Sequence, residues 1–350
     1  MNASQNDSAA AAEWRRYDAA SLPMEGRGWD LSLMSSPYGR LPAALLDRVP
    51  PDVRALQRCS AGLCLLFRTD SPSLRIRWKL GDPVRHNWNI PSSGADGVDV
   101  YQERGGVWRF ARPPFPVMPV DGGAEYEWRV EPGLPTRVYL PTYNVVEEME
   151  IAVPPGCAAE PVPPPRGGVR KPAVFYGTSI TQGASASHPG GCWVAMAARK
   201  AGVPAVNFGF SGSGKMEDEM IDAVGGVDAS LYVLDTVSNM TADLIRERME
   251  RFVRGLAERR PGVPILLLAN RYVMGAEARA RDAGVRAAFD RLRSGAGTVP
   301  GLHFAGDDAA ALAPDDDGTV DGVHLNDLGM KRAGEHFGDV VRAILEGRES

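Results

Sequence analysis

No apolar run in this sequence approaches the ~18 residues that a helix needs to cross a bilayer. No membrane partner is expected. The opening stretch, MNASQNDSAAAAEWRRYD, lacks a basic segment followed by an apolar core. No secretory signal is read there, and the expected compartment is the cytoplasm. Cysteine is scarce, with four residues at 59, 64, 157 and 192. They form no CxxC pair and no zinc spacing, and in a reducing compartment they are expected to be free and mostly buried. Excess charge is also small: the formal net charge is −5 and the pI about 5.7, which gives no reason to expect nucleic acid or an anionic membrane as partner. Histidine is limited to positions 86, 188, 303, 324 and 336, so few residues compete for the role of general base. No internal repeat is present. No metal or cofactor is called for. The acidic run Asp315, Asp316, Asp317 before Gly318 lacks the spacing of an EF-hand loop and reads as a solvated turn.

The 350 residues suffice for two domains with proper cores. Residues 1 to about 20 are Ala- and Ser-rich and are expected to fray. From there to about 150 the chain reads as short strands: 63–70, 73–80, 97–104, 106–112, 124–131, 136–141 and 146–153. Pro, Gly and Asp punctuate them, which predicts an antiparallel sandwich. The Pro-rich stretch 161–169 reads as a linker, dividing a domain over 1–160 from one over 170–350. Beyond it, strands at 173–176, 203–208, 230–234, 264–268 and 302–305 alternate with helices at 191–201, 215–224, 241–259, 276–293 and 326–346. That alternation predicts an α/β domain in which helices cover both faces of a parallel sheet. Ligands of such a sheet gather at the carboxyl ends of its strands.

Two stretches of the second half carry chemistry. In Lys171–Gly183, KPAVFYGTSITQG, Ser179 sits between a strand end and a helix start. Its hydroxyl there projects from a tight turn, and its N–H can face a developing oxyanion. An ordinary βα turn carrying hydroxyls is the plain alternative. In Asp321–Asn326, DGVHLN, an acidic residue lies three places before His324. Both can then share one turn, with the carboxylate holding one ring nitrogen and the other left free as general base. Ser179, Gly212 and Asn239 each directly follow a predicted strand and should converge at one edge of the sheet.

These residues resemble the SGNH (GDSL-like) hydrolases. GTSIT is similar to their first block, with Thr178 in place of the usual Asp. SGSG at 211–214 is similar to the second block, which implies Gly212 as an oxyanion donor. Asp235–Asn239, DTVSN, resembles the third block without its Gly before and Asp after the asparagine, and implies Asn239 as the side-chain donor. Asp321 and His324 match the last block. The resemblance covers about residues 170–346. It implies a three-layer α/β/α fold and a triad of Ser179, His324 and Asp321. Ser179, Gly212 and Asn239 would form the oxyanion hole. The β-rich first half resembles a subgroup with a jelly-roll-like domain ahead of the hydrolase. The expected activity is hydrolysis of short acyl esters, acetyl first, of a carbohydrate-like or other hydroxylated small molecule or oligosaccharide. An acyltransferase of the same fold is the alternative within the class.

Other readings compete. Gly209–Met216 nearly matches a phosphate-binding loop with Lys215, which would make the chain a nucleotide-binding protein. However, Met216 stands where a Mg²⁺-binding Ser or Thr belongs. A non-catalytic binding module is a third class. His188, in the loop after Ser179, reads as a surface histidine or as overhanging the site. Asn270 and Arg271 end a strand and are candidates for the pocket rim. His86, Trp88 and Trp108 are candidates for sugar contact, with core tryptophans as the plain reading. Cys192 lies near the nucleophile loop. A homo-oligomer is left open.

Overall fold

In the stretch Ser73–Leu80, SLRIRWKL, apolar and charged residues alternate, which on an extended chain sends them to opposite faces. The computed structural model describes residues 13–81, 87–113, 123–163, 170–269, 276–294, 297–306 and 317–348. In it this stretch is a strand, with Leu74, Ile76, Trp78 and Leu80 buried and Arg75, Arg77 and Lys79 on the other face. The strands of the first half are β1 (Arg15–Asp18), β2 (Met24–Glu25), β3 (Cys64–Thr69), β4 (Ser73–Leu80), β5 (Asp99–Arg104), β6 (Val107–Ala111), β7 (Gly123–Arg129), β8 (Pro135–Tyr139), β9 (Val146–Val153) and β10 (Ala159–Pro161). They form two antiparallel sheets, ordered β1-β9-β4-β7 and β10-β3-β8-β5-β6, with β2 against β3. Phe67, Ile76, Trp78, Trp128, Val138 and Ile151 belong to the core of this sandwich. Short helices α1 (Pro51–Leu56) and α2 (Ser92–Ala95) interrupt its loops.

Strands β1, β2 and β10 carry no apolar alternation and were not expected. The start expected to fray through residue 20 is already ordered at β1, because Arg15–Asp18 pairs with residues 150–153 of β9. Residues 1–12 lie outside the described ones.

The second half is built on β11 (Ala173–Gly177), β12 (Ala205–Gly209), β13 (Leu231–Asp235), β14 (Ile265–Leu268) and β15 (Leu302–Ala305). These form one parallel sheet in the order β12-β11-β13-β14-β15. Its helices are α3 (Ser179–Gln182), α4 (Trp193–Ala201), α5 (Glu219–Gly226), α6 (Ala242–Arg259), α7 (Ala276–Arg293) and α8 (Asp327–Leu345). Successive strand residues feed opposite layers. Val174, Tyr176, Tyr232 and Leu234 pack with α5, α6 and α7. Ala173, Phe175, Leu231 and Val233 pack with α4 and α8. This is the three-layer α/β/α arrangement that strand–helix alternation predicts.

The two halves share their cores. Leu41, Val53 and Leu56 join the α5–α7 side of the sheet, and Cys64, Tyr101 and Tyr139 join the α4–α8 side. A buried cation marks the junction. The guanidinium of Arg40 donates to the carbonyls of Leu56 (2.7 Å), Cys59 (2.9 Å), Asn207 (3.1 Å) and Gly209 (2.6 Å), and lies 4.5 Å over the Phe210 ring. Asn207 and Gly209 are alternate residues of β12, at the edge of the sheet, so the planar fork satisfies edge carbonyls that no further strand among the described residues covers. Burial lowers its pKa to about 10, which leaves it charged at neutral pH.

Replacing Arg40 by Met orphans four buried carbonyls, at a cost of roughly 1–3 kcal/mol for each that finds no new partner. Arg40→Met is therefore expected to lower stability by at least about 3 kcal/mol. Arg40→Lys should rescue little of this, because an ammonium cannot span the four acceptors. Chemical denaturation measures both, and a near-wild-type midpoint for either variant contradicts the assignment.

Candidate active site

β11 ends at Gly177, which is in register with Gly209 of β12 and Asp235 of β13. The loops leaving these three strands therefore start side by side at their carboxyl ends. In the first loop Thr178 is extended and caps α3, its hydroxyl accepting from the Ile180 N–H at 3.3 Å. Ser179 opens that helix, where the first N–H groups have no intrahelical acceptor. Gly183, with φ +106°, ends it after one turn. The loop is held rigidly. Thr181 Oγ1 donates to Asp235 Oδ2 (2.7 Å), Asn207 Nδ2 to Thr181 O (2.7 Å), Trp193 Nε1 to Ile180 O (3.1 Å) and Tyr143 Oη to Ser179 O (3.3 Å). Only 8% of Ser179 is exposed.

The other element is the turn before α8. Val320 N–H donates to His324 O (2.9 Å), Leu325 is fully buried beneath, and Asn326 caps α8 through the Gly329 N–H. Within the turn Asp321 Oδ1 accepts from the backbone N–H of His324 (2.7 Å) and Val323 (3.0 Å), and Oδ2 lies 2.7 Å from His324 Nδ1. His324 Nε2 lies 2.9 Å from Ser179 Oγ. With Nδ1–H donating to the carboxylate, Nε2 is left to accept the serine proton. Burial opposes ionisation of Asp321, but the two backbone donors and the His324 ring outweigh it and bring its pKa down to about 2. The structure thus brings Ser179, His324 and Asp321 into one hydrogen-bonded line.

The second loop folds over the first. Phe210 N–H donates to Gly177 O (3.0 Å) and Ser211 N–H to Gln182 Oε1 (3.0 Å). Gly214, with φ +71°, passes so close that a Cβ there would stand 2.1 Å from Gly177 O. Gly212 is exposed with φ +75°, and its N–H has no partner among the described residues. Asn239 ends the short turn after β13 and is half-buried, with Nδ2 donating to Ser213 O at 2.6 Å. One amide hydrogen is used there, and the other has no partner among the described residues. The phosphate-loop alternative fits poorly. Helix α5 starts only at Glu219, and the Lys215 N–H is taken by Glu217 Oε2 at 3.0 Å. Glu217, Asp218 and Glu219 place negative charge where a phosphate would sit.

Sequence reasoning missed Asn89. Its Nδ2 lies 2.9 Å from Asp321 Oδ2, reaching across from the first half of the chain. Asp99 was missed as well. His188, expected on the surface or over the site, instead inserts into the junction between the halves. Its Nδ1 lies 2.5 Å from Asp99 Oδ2, and its ring packs 4.8 Å from that of Phe110. The loop from Ala184 to Gly191 leaves the Ser179 helix, with the Ala184 N–H donating to Ser179 O (2.9 Å). It is mostly buried, its small residues permitting close approach of the sandwich: a Cβ on Gly94 would stand 2.3 Å from Ala186 O. Trp108 packs in the junction under the Arg137 guanidinium. Trp88, whose plain reading was a core residue, is 84% exposed. Cys192 is buried, with its thiol pKa raised by that burial, and plays no part in the line of contacts. His86, Asn270, Arg271, Asp315 and Asp316 lie outside the described residues. No described helix is long and apolar enough to cross a membrane.

Residues 170–342 match the family model described as GDSL-like Lipase/Acylhydrolase family. Residues 12–158 match the one described as N-terminus of Esterase_SGNH_hydro-type. No curated protein matches the sequence. Among solved structures, a Bacteroides ovatus protein assigned as a GDSL-like lipase is 28% identical. The alignment covers 95% of this chain and 98% of that one, with a TM-score of 0.86. The salicylyl-acyltransferase SsfX3 of a tetracycline biosynthetic pathway shares the fold at 20% identity, covering 92% and 95% of the two chains with a TM-score of 0.71. A family two carbohydrate esterase from Clostridium thermocellum shares it at 10% identity, covering 93% and 99% with a TM-score of 0.56.

The Asp99–His188 pair makes the junction sensitive to pH. Burial lowers the His188 pKa, but the hydrogen bond and charge of Asp99, with help from Asp327, outweigh it and raise the net value. A raised folded pKa stabilises most below the unfolded value of about 6.5 and loses that contribution as pH rises through the folded one. His188→Gln should therefore lower the melting temperature most at pH 6 or below. The gap from wild type should narrow towards pH 9. A gap that stays constant across that range contradicts the pairing.

Proposed function

The chain belongs, through residues 170–342, to the GDSL-like lipase/acylhydrolase family, and from that premise we propose that it is a serine esterase acting through an acyl-enzyme. The observation that carries this reading is the line Ser179 Oγ, His324 Nε2, His324 Nδ1, Asp321 Oδ2, with spacings of 2.9 and 2.7 Å. Ser179 Oγ attacks the ester carbonyl while His324 Nε2 takes its proton. Asp321, ionised down to low pH, stabilises the imidazolium. The oxyanion is received by the N–H groups of Ser179 and Gly212 and by the free amide hydrogen of Asn239. His324 then protonates the leaving alcohol, and a water molecule activated by the same imidazole releases the acid.

The substrate reading is a short acyl group, acetyl first, on a hydroxylated ring. Binding a long acyl chain needs continuous apolar surface, since each buried CH₂ contributes about 0.8 kcal/mol. Beside the acid turn and the Asn89 segment, the exposed large apolar side chains among the described residues are Trp88, Val320 and Leu328, a small apolar area for a long chain. Trp88, next to Asn89, instead offers one aromatic face, a surface suited to stacking on the C–H face of a sugar ring. The fold is shared with carbohydrate esterases and with an acyltransferase, so the acceptor of the acyl group, water or a second alcohol, is the point to test.

Ser179→Ala is expected to remain folded and lose activity by several orders of magnitude, and Ser179 to be the residue labelled by a fluorophosphonate. Asn239→Ala should lower kcat by roughly 10²–10³-fold with little change in KM. Full activity of the first variant refutes the mechanism, and of the second the assignment of Asn239.

Substrate class is read from kcat/KM over C2 to C12 p-nitrophenyl esters and acetylated sugars, each with and without an acceptor alcohol. A maximum at C2 with activity on acetylated sugars is expected. A maximum at C8 or longer with no activity on sugars overturns the substrate reading. Acyl transfer outpacing hydrolysis replaces the esterase by a transferase.

A further inference from the structure

Asn89 lies 232 residues before Asp321, in the loop that leads to α2 of the sandwich half. Its Nδ2 is 2.9 Å from Asp321 Oδ2 and 3.1 Å from His324 Nδ1. The nitrogen of the amide must face the carboxylate, because the amide oxygen would set lone pairs against lone pairs. The main chain of the same residue is held too. Asn89 O accepts from Ser185 Oγ at 2.7 Å, and Ser185, with φ +68°, lies two residues past the glycine that ends the nucleophile's helix. The segment that follows is anchored to both halves. Ser93 Oγ donates to Ser187 O (2.6 Å), and Gly94 O accepts from Thr142 N (3.2 Å) and Thr142 Oγ1 (2.9 Å).

We propose that Asn89 is a positioning residue of the triad, so that the sandwich half completes the catalytic centre that the hydrolase half begins. This rests on the reading of Ser179, His324 and Asp321 as that triad. Asp321 Oδ1 is filled by two backbone donors and Oδ2 by His324 and Asn89 together. With four donors the carboxylate has one orientation, and its plane fixes the imidazole that aims Nε2 at Ser179. The bond also tunes the base. An amide donor on Oδ2 draws off negative charge that would otherwise stabilise the imidazolium, and its partial positive charge sits beside Nδ1. Both effects lessen the electrostatic hold of the site on a proton carried at Nε2. Asp321 is the one charged side chain bonded to the His324 ring among the described residues, so the acid limb of the rate profile reports on this contact.

The test uses the full chain with p-nitrophenyl acetate, comparing Asn89→Ala and the near-isosteric Asn89→Asp with wild type and with Ser179→Ala. Asn89→Ala should lower kcat about tenfold, as loss of a hydrogen bond to a charged group does, with KM little changed. The acid limb of kcat/KM should move to higher pH in Asn89→Ala and further in Asn89→Asp, where a donor is replaced by a second negative charge beside Nδ1. Melting temperatures establish that both variants are folded. If Ser179→Ala is inactive but the acid limbs of both Asn89 variants superimpose on wild type, Asn89 is only a structural contact and the inference fails, whatever the loss of rate. If Ser179→Ala keeps its activity, the triad reading itself fails and takes this inference with it.

Discussion

The Arg40 guanidinium gives two hydrogen bonds to each half of the chain, and the placement of the site follows from where those bonds lie. A parallel sheet that ends at β12 exposes a row of edge carbonyls. Left bare, that edge would invite another strand. Covering it with a loop of the first half makes that half part of the sheet's boundary. Gly209, one of the two edge residues bonded to Arg40, is directly followed by the loop that folds over Ser179. The register of that loop is therefore fixed by a side chain 169 residues away. Burying a charge is costly unless its donors are satisfied. Here four carbonyls and an aromatic face do so, and the planar shape of the group selects one geometry.

The same logic recurs on the other side of Ser179. Asp99 is buried on β5 and holds both His188 and the Gly190 N–H (2.9 Å). Arg199 donates to Gly190 O (2.8 Å) and Tyr139 Oη (3.0 Å), with its guanidinium 4.2 Å over the Tyr101 ring. Polar groups in a junction demand particular geometry, whereas apolar surfaces tolerate sliding. The junction combines the two: a shared apolar core supplies the burial, and a few buried charges set the alignment. The hydrogen-bonded line from Ser179 through His324 to Asp321 holds only if its atoms are placed to within a fraction of an ångström. An interface of freely sliding domains would not deliver that, and this one is built otherwise.

What the sequence revealed divides along the range of the interactions. The strands and helices of the second half were legible because each has its own apolar pattern, and the parallel order of β11 to β15 follows from their alternation with helices. Asp321 and His324 were legible as a pair because a three-residue spacing is itself a geometry. Strands β1, β2 and β10 were not, since two to four mostly polar residues become strands only when a distant partner supplies the hydrogen bonds. Asn89 carried no signal for the same reason: one polar residue in a loop, whose meaning lies 232 positions away. His188 and Trp88 were read from residue type, and both readings yielded to a partner or to its absence. Asp99 turned the histidine inward, while the tryptophan is left exposed among the described residues.

Thr178 bears on how charge is distributed around Ser179. At this position the resemblance leads one to expect an aspartate. Its structural task is visible in the hydroxyl that accepts from the Ile180 N–H, which is helix capping, and threonine performs it without charge. An aspartate there would cap slightly better, but it would set a second carboxylate beside Ser179. Negative charge that close stabilises the imidazolium and opposes the oxyanion. The nearby Asp235 is buried at the end of β13 and engaged by the Thr181 hydroxyl at 2.7 Å, so the Ser179 loop meets that charge through a hydrogen bond. Asp321 is then the carboxylate bonded to the His324 ring, and the donors around it, one of them supplied by the other half of the chain, decide how much of its charge the imidazole feels.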